Sequence, residues 1–391
     1  MNRTFNAVLF MLAISIVYAQ QAGLSHQSME ELILNQGYPL EVHEIETEDG
    51  YLLTAYRIPY GKDKASNGKS VIVQHGILCS SAAWVISRPD QALGFLLADG
   101  GYDVWLTNSR GNTYSRKHKT YDTSSAQYWD FSFHEMGYYD LPATIDYILE
   151  KTNETQLFYI GHSQGTTQFF AMASTRPEYN AKIRHMSALA PIAFLDHTRG
   201  TVRTLGFFAS VLQKVAWLLN LHYILDQSFV MSFIERTACR QTAITRPICD
   251  NILFLIAGYD SQELNVTLVP VITSYTPAGA SVKQLLHFSQ LLHNNEKFTL
   301  YDYGEKYNVF HYGQNTPPQY DLSKVTAPVM LHYAYNDWIS GVQDVDKLYT
   351  HLPNSKRKVV GFDFFNHLDF MWARDARQLV YDDVLDIMSQ Y

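Results

Sequence analysis

Residues 156–174 read QLFYIGHSQGTTQFFAMAS, and the reading of this stretch decides the fold. Gln156–Ile160 is a short apolar, aromatic run that predicts a buried strand. Thr166–Ser174 carries a helical pattern. Between them stands Gly161-His162-Ser163-Gln164-Gly165, a G-x-S-x-G pentapeptide. The pentapeptide also occurs by chance, so its context carries the argument. A strand that turns sharply into a helix holds the serine clear of the sheet, and small glycines let the backbone make that strained turn. Ser163 is therefore the candidate nucleophile.

Working outward, further short strand-like runs alternate with helical patterns. Tyr51–Ile58, Ser70–Gln74, Tyr102–Leu106, His185–Leu189, Val329–Tyr333 and Lys358–Phe362 predict strands, and Gln27–Leu34 predicts a short helix. Near-continuous apolar runs suit strands buried on both faces of a parallel sheet. The alternation predicts an α/β fold. Between about Pro191 and Pro318 the rhythm changes. LGFFASVLQKVAWLLNL (205–221) and Val282–His293 have helical spacing, and two of the three cysteines fall here. This stretch predicts a helical cap, 191–318, inserted between core segments 20–190 and 319–391.

The 391 residues are 47% apolar and 17% charged, with a net charge of −8. That composition excludes a disordered tail or a charged coiled coil. The densest basic run is Lys356–Lys358, too little positive charge for a nucleic-acid partner. Residues 1–19 predict a secretory signal: Arg3, an apolar run Ala7–Val17, and a small-residue site at Val17-Tyr18-Ala19. The run is short of the ~20 residues a membrane span needs, and no other stretch reaches it. Secretion implies oxidised cysteines. Cys239 and Cys249 can close one short loop, which leaves Cys79 as a buried small residue. Asn153-Glu154-Thr155 and Asn265-Val266-Thr267 are N-glycosylation sequons.

A serine needs a base. On a strand–elbow–helix scaffold the chain order is serine, acid, histidine. Asp337 lies just past the strand VMLHY, and His367 lies in the loop after the last predicted strand. Asp344, Asp346, Asp363 and Asp369 are rival acids; Asp369 stands only two residues from His367. His332 and His351 fail on position. The oxyanion donors expected are the backbone N–H of Gln164, after the nucleophile, and that of Ile77 in His75-Gly76-Ile77-Leu78, with Leu78 as the alternative. No metal-ligand cluster or phosphate loop implies a cofactor; His134-Glu135-Met136 is not HExxH, because position 138 is Tyr.

GYPLEVHEIETEDGYLL (37–53), QHGILCSSAAW (74–84), GYDVWLTNSRGNTYSRKH (101–118), WDFSFHEMGYYDLPATIDYI (129–148), GHSQGTTQ (161–168) and NHLDFMW (366–372) together make the chain resemble the acid lipases, the group of gastric and lysosomal acid lipase with their insect relatives. Ala83 stands where a polar residue is commoner. The resemblance implies an α/β-hydrolase fold with a helical cap and lid, and hydrolysis of neutral lipid esters at a lipid–water interface, often at acidic pH. It places the triad on Ser163, Asp337 and His367, the oxyanion donors on Ile77 and Gln164, and a disulfide on Cys239 and Cys249. Asn108, Arg110, Trp129 and Asp130 also match the family and read as structural, with Arg110 as an ion-pair anchor; the alternative is that the turn Asn108-Ser109-Arg110-Gly111-Asn112, which follows a strand, lines the site. The apolar run 205–221 agrees with a water-insoluble substrate, either as an interfacial lid helix or as a packed cap helix.

Overall fold

The computed structural model describes residues 27–207, 222–224, 262, 263, 265, 267–294 and 296–391. The expected signal segment 1–19, both cap cysteines Cys239 and Cys249, and most of the 205–221 run lie outside the described residues.

Eight strands form the path of one sheet: β1 Glu41–Glu46, β2 Tyr51–Ile58, β3 Ser70–Gln74, β4 Asp103–Thr107, β5 Leu157–His162, β6 Ile183–Leu189, β7 Val329–Tyr333 and β8 Ser355–Val359. Their order is β1-β2-β4-β3-β5-β6-β7-β8, and Lys117–His118 adds a short pairing to β2. β1 and β2 pair antiparallel, as do β2 and β4; the pairs from β4 to β8 are all parallel. Every residue of β3, β4 and β5 is buried, as their continuous apolar character requires. Alternate side chains go to opposite faces. Ile72, Trp105 and Tyr159 join one core, with Phe133, Phe169 and Met172; Val71, Val73, Phe158 and Ile160 join the other, with Phe95, Phe370 and Tyr381.

Three strands begin and end where the sequence places them: β2, β3 and β7. The last strand does not. The sequence points to Lys358–Phe362, but β8 is Ser355–Val359. As an edge strand it pairs only with β7 and exposes Lys356, Arg357 and Lys358, so it carries no apolar run. β1 was not expected. It turns only His43 and Ile45 inward and keeps its glutamates in water.

Arg110 is buried against the Tyr51 ring, 3.9 Å from its centroid. Its guanidinium donates to Asp49 (2.8 Å) and Asp140 (2.7 Å). It anchors the loop after β4 to the turn before β2, the structural role expected for it.

Several histidines are buried with no room for a charge. His75 is held neutral by burial, its pKa down to about 4, and His287 likewise, down to about 3. An unfolded imidazole takes up its proton near pH 6.5, so below that value the unfolded chain binds more protons than the folded one. Each residue then removes about 3 kcal/mol of stability as pH falls from 6.5 to 4. We expect the Tm to fall steadily between pH 6.5 and pH 4 in calorimetry, with the His75 and His287 imidazole NMR signals unchanged down to pH 5. Signals that titrate near 6.5 would contradict the neutral burial.

Candidate active site

β5 ends at His162, and the helix Gln164–Thr175 starts two residues later. Ser163 joins them at φ +52°, ψ −120°, a left-handed conformation that non-glycine residues avoid. Strain of this kind costs about 1–3 kcal/mol and persists only where the surroundings fix it. Here they do. The Ser163 N–H donates to the Leu189 carbonyl of β6 (3.0 Å), and the Thr166 hydroxyl donates to the Ser163 carbonyl (2.7 Å). The Tyr159 hydroxyl holds the Gly165 carbonyl (2.7 Å). A Cβ on Gly165 would stand 2.7 Å from the Gln74 carbonyl oxygen, which is why the second glycine of the motif has no substitute. A Cβ on Gly76 would stand 3.0 Å from the Ser163 Cβ.

The turn aims the serine at His367. His367 Nε2 lies 2.8 Å from Ser163 Oγ, and His367 Nδ1 lies 2.8 Å from Asp337 Oδ2. All three side chains are buried. The other Asp337 oxygen accepts the N–H groups of Ile339 and Ser340, both at 2.8 Å, and these fix the carboxylate plane. The three residues named from the sequence thus come together from the ends of β5, β7 and β8. The rival acids are occupied elsewhere. Asp344 bonds His197 (2.8 Å), Asp346 pairs with Arg357, Asp369 accepts the Asn366 N–H (2.6 Å), and Asp363 is exposed.

A neighbouring histidine was not foreseen as a participant. His162 is buried, and burial with His367 beside it holds its pKa well below the usual range. It is therefore neutral, and its Nε2–H donates to the His367 backbone carbonyl (2.9 Å). This bond orients the loop that carries the imidazole.

The expected oxyanion loop follows β3. Neither the Ile77 nor the Gln164 backbone N–H is taken by an acceptor among the described residues. Leu78, the alternative donor, sits at φ +61° and turns the chain. His75 sets the loop's position. Its Nε2 accepts the Ser109 N–H (3.1 Å) and lies 3.0 Å from the Asn112 amide. That fixes the proton on Nδ1, which donates to the Gly76 carbonyl (2.7 Å). Asn108 adds bonds to the Ser81 N–H (3.0 Å) and the Thr54 carbonyl (3.0 Å). The sequence signal for this framework is the Asn108-Ser109-Arg110-Gly111-Asn112 turn, whose asparagines and serine bond to His75 and Ser81.

Cys79 is buried, and its thiol is pushed up to about 12 by burial, so it is an inert packing residue. Asn153 is exposed at the C-terminus of the helix Leu141–Thr152. Asn265 Oδ1 accepts the Thr267 N–H and hydroxyl (3.2 and 2.7 Å). Among the described residues, no group of three or more His, Cys, Asp or Glu could hold a metal, and no helix is long and apolar enough to cross a membrane.

Residues 29–88 match the family described as a partial alpha/beta-hydrolase lipase region, and residues 69–214 match the alpha/beta hydrolase fold family. Gastric triacylglycerol lipase of Rattus norvegicus is 40% identical over 94% of this chain and 92% of its own. Lipase 3 of Drosophila melanogaster is 42% identical over 92% of each. Lysosomal acid lipase/cholesteryl ester hydrolase of Macaca fascicularis is 38% identical over 94% of this chain and 92% of its own. A soluble variant of a Saccharomyces cerevisiae monoglyceride lipase shares the fold, with a TM-score of 0.52 at 16% identity over 90% of this chain and 94% of that one.

The strain at residue 163 has a direct test. Ser163→Gly and Ser163→Ala both remove the hydroxyl, but only glycine accepts positive φ freely. After the unfolded-state entropy of glycine is subtracted, the Gly variant should be the more stable by about 1 kcal/mol in denaturant titration. Equal or reversed midpoints would mean that the elbow is relaxed.

Proposed function

The chain belongs to the family of gastric triacylglycerol lipase and lysosomal acid lipase, and from that premise we propose that it hydrolyses neutral lipid esters, triacylglycerols or sterol esters, through an acyl-enzyme on Ser163. The observation that carries this reading is the hydrogen-bonded line Ser163–His367–Asp337 at a strained elbow.

In this reading His367 Nε2 takes the Ser163 Oγ proton as Oγ attacks the ester carbonyl carbon. The new C–O bond leaves an oxyanion, which the N–H groups of Ile77 and Gln164 receive. Asp337 holds the proton on His367 Nδ1 and steadies the imidazolium. The intermediate collapses, the C–O bond to the alcohol breaks, and His367 returns the proton to the leaving oxygen. Water then attacks the acyl-serine with His367 again as base, releasing the fatty acid and free Ser163.

Activity on the acid side of neutrality is supported by His75. The loop bearing Ile77 hangs on the unprotonated Nε2 of His75, and burial keeps that nitrogen free down to about pH 4. The segment 191–318 forms the cap over the site in this proposal, with Cys239 and Cys249 joined and glycans on Asn153 and Asn265. The chain enters the secretory route through residues 1–19 and acts outside the cell or in the lysosomal lumen, at a lipid–water interface.

Glycosylated wild type should turn over emulsified long-chain triacylglycerol or cholesteryl ester at both pH 5 and pH 7.5. Ser163→Ala should be silent, and Asp337→Asn should lose about 10⁴-fold in kcat. Cleavage of short soluble esters alone would make the protein a carboxylesterase. Silence of folded wild type on every ester would leave a lipid carrier.

A further inference from the structure

Two different bonds tie the expected oxyanion donors to one short stretch of the cap region. The Ala278 N–H donates to the Leu78 carbonyl (2.6 Å), next to Ile77. Ala278 is held in turn by Thr113, whose N–H (2.9 Å) and hydroxyl (3.1 Å) both donate to the Ala278 carbonyl. Six residues on, the Gln284 side-chain Nε2 donates to Gln164 Oε1 (3.0 Å). Gln164 and Gln284 are 1% and 3% exposed, so neither amide has water as an alternative.

Gln284 is itself locked. It stands third in the helix Val282–Leu291. Its N–H donates to Ser281 Oγ (3.0 Å), and its Oε1 accepts the Ser281 N–H (2.8 Å). The Ser281 hydroxyl donates to the Phe131 carbonyl (2.6 Å). Capping uses only the Oε1 of Gln284. The donor Nε2 is surplus to the helix and is spent on Gln164. The Met136 sulfur lies against both amide nitrogens, 3.7 Å from Gln164 Nε2 and 3.8 Å from Gln284 Nε2, and leaves the Oε1 of Gln164 to face Gln284.

We propose that the stretch Ala278–Gln284 is the positioning clamp of the oxyanion hole, with Gln284 the residue that sets the backbone N–H of Gln164. The inference rests on the reading of Ile77 and Gln164 as oxyanion donors. Gln284 touches no reacting atom. It acts by fixing the side chain of the residue whose N–H does. Both acylation and deacylation pass through an oxyanion, so the clamp bears on kcat, while ground-state binding of the ester does not use it. Displacement of a donor by even 1 Å can cost about a hundredfold in rate.

The test uses the full-length glycosylated enzyme and a short soluble ester, with a trifluoromethyl ketone as oxyanion-forming inhibitor. Gln284→Leu should lower kcat tenfold to a hundredfold, with KM within twofold. Inhibitor affinity should fall by the same factor as kcat/KM. Gln284→Glu keeps the Oε1 acceptor that caps the helix and replaces the donor by a second acceptor, so it should show the same loss in a protein whose helix N-terminus is intact. Wild-type-like kcat in either folded variant overturns the clamp. So does a rise in KM with kcat and inhibitor affinity unchanged. A wild type that neither cleaves the ester nor binds the ketone overturns the ester-hydrolase reading first, and the clamp falls with it.

Discussion

The backbone of Ser163 is the point on which the rest of the structure turns. A left-handed serine is unfavourable by itself, and it exists here because its neighbours allow nothing else. β6 takes its N–H, Thr166 takes its carbonyl, and Gly165 fits under the Gln74 carbonyl without a side chain. Those contacts require β3, β5 and β6 to lie side by side, and the parallel register supplies that. The buried aromatic and aliphatic residues of both sheet faces hold the register. Each contributes about 1.5–3 kcal/mol by leaving water, so the strain at one residue is a small fraction of what opposes it.

Two of the loops around the site are positioned by neutral hydrogen bonds in dry surroundings. His75 and His162 are both imidazoles that burial keeps uncharged. One holds the loop of Ile77, and the other holds the loop of His367. His75 uses both ring nitrogens in opposite roles, one donor and one acceptor, His162 uses its Nε2–H alone, and a neutral ring adds no charge beside the developing oxyanion. A separate ion-pair network, buried Arg110 with Asp49 and Asp140, ties the loop after β4 to the turn before β2.

Much of this was legible in the sequence because it is local. β3 and β7 are continuous apolar runs and were read to the residue, and the elbow has its strand and helix on either side. Ser163, Asp337 and His367 follow from the motif, their places after strands and the chain order, and the structure brings the three within hydrogen-bond distance. The apolar pattern puts β8 three residues too far along because an edge strand needs no apolar run, and the apolar VVGF beside it belongs partly to the loop that leads to His367. β1 carries no clear strand signal because three glutamates face water and only two side chains point inward. The tie of His75 to Ser109 and that of Gln284 to Gln164 span 34 and 120 residues, and no periodicity encodes a bond across such distances.

The chain order of the relay also has a consequence for folding. Ser163 lies in β5's turn near the middle of the sheet, but the acid and base follow β7 and β8 at its last edge. A domain folds as a unit, and this sheet is complete only when its last two strands are present. The serine therefore has its imidazole partner only in the chain that carries β7 and β8. The proposed chemistry of Ser163 thus belongs only to the completed sheet, because its base arrives with the last strand.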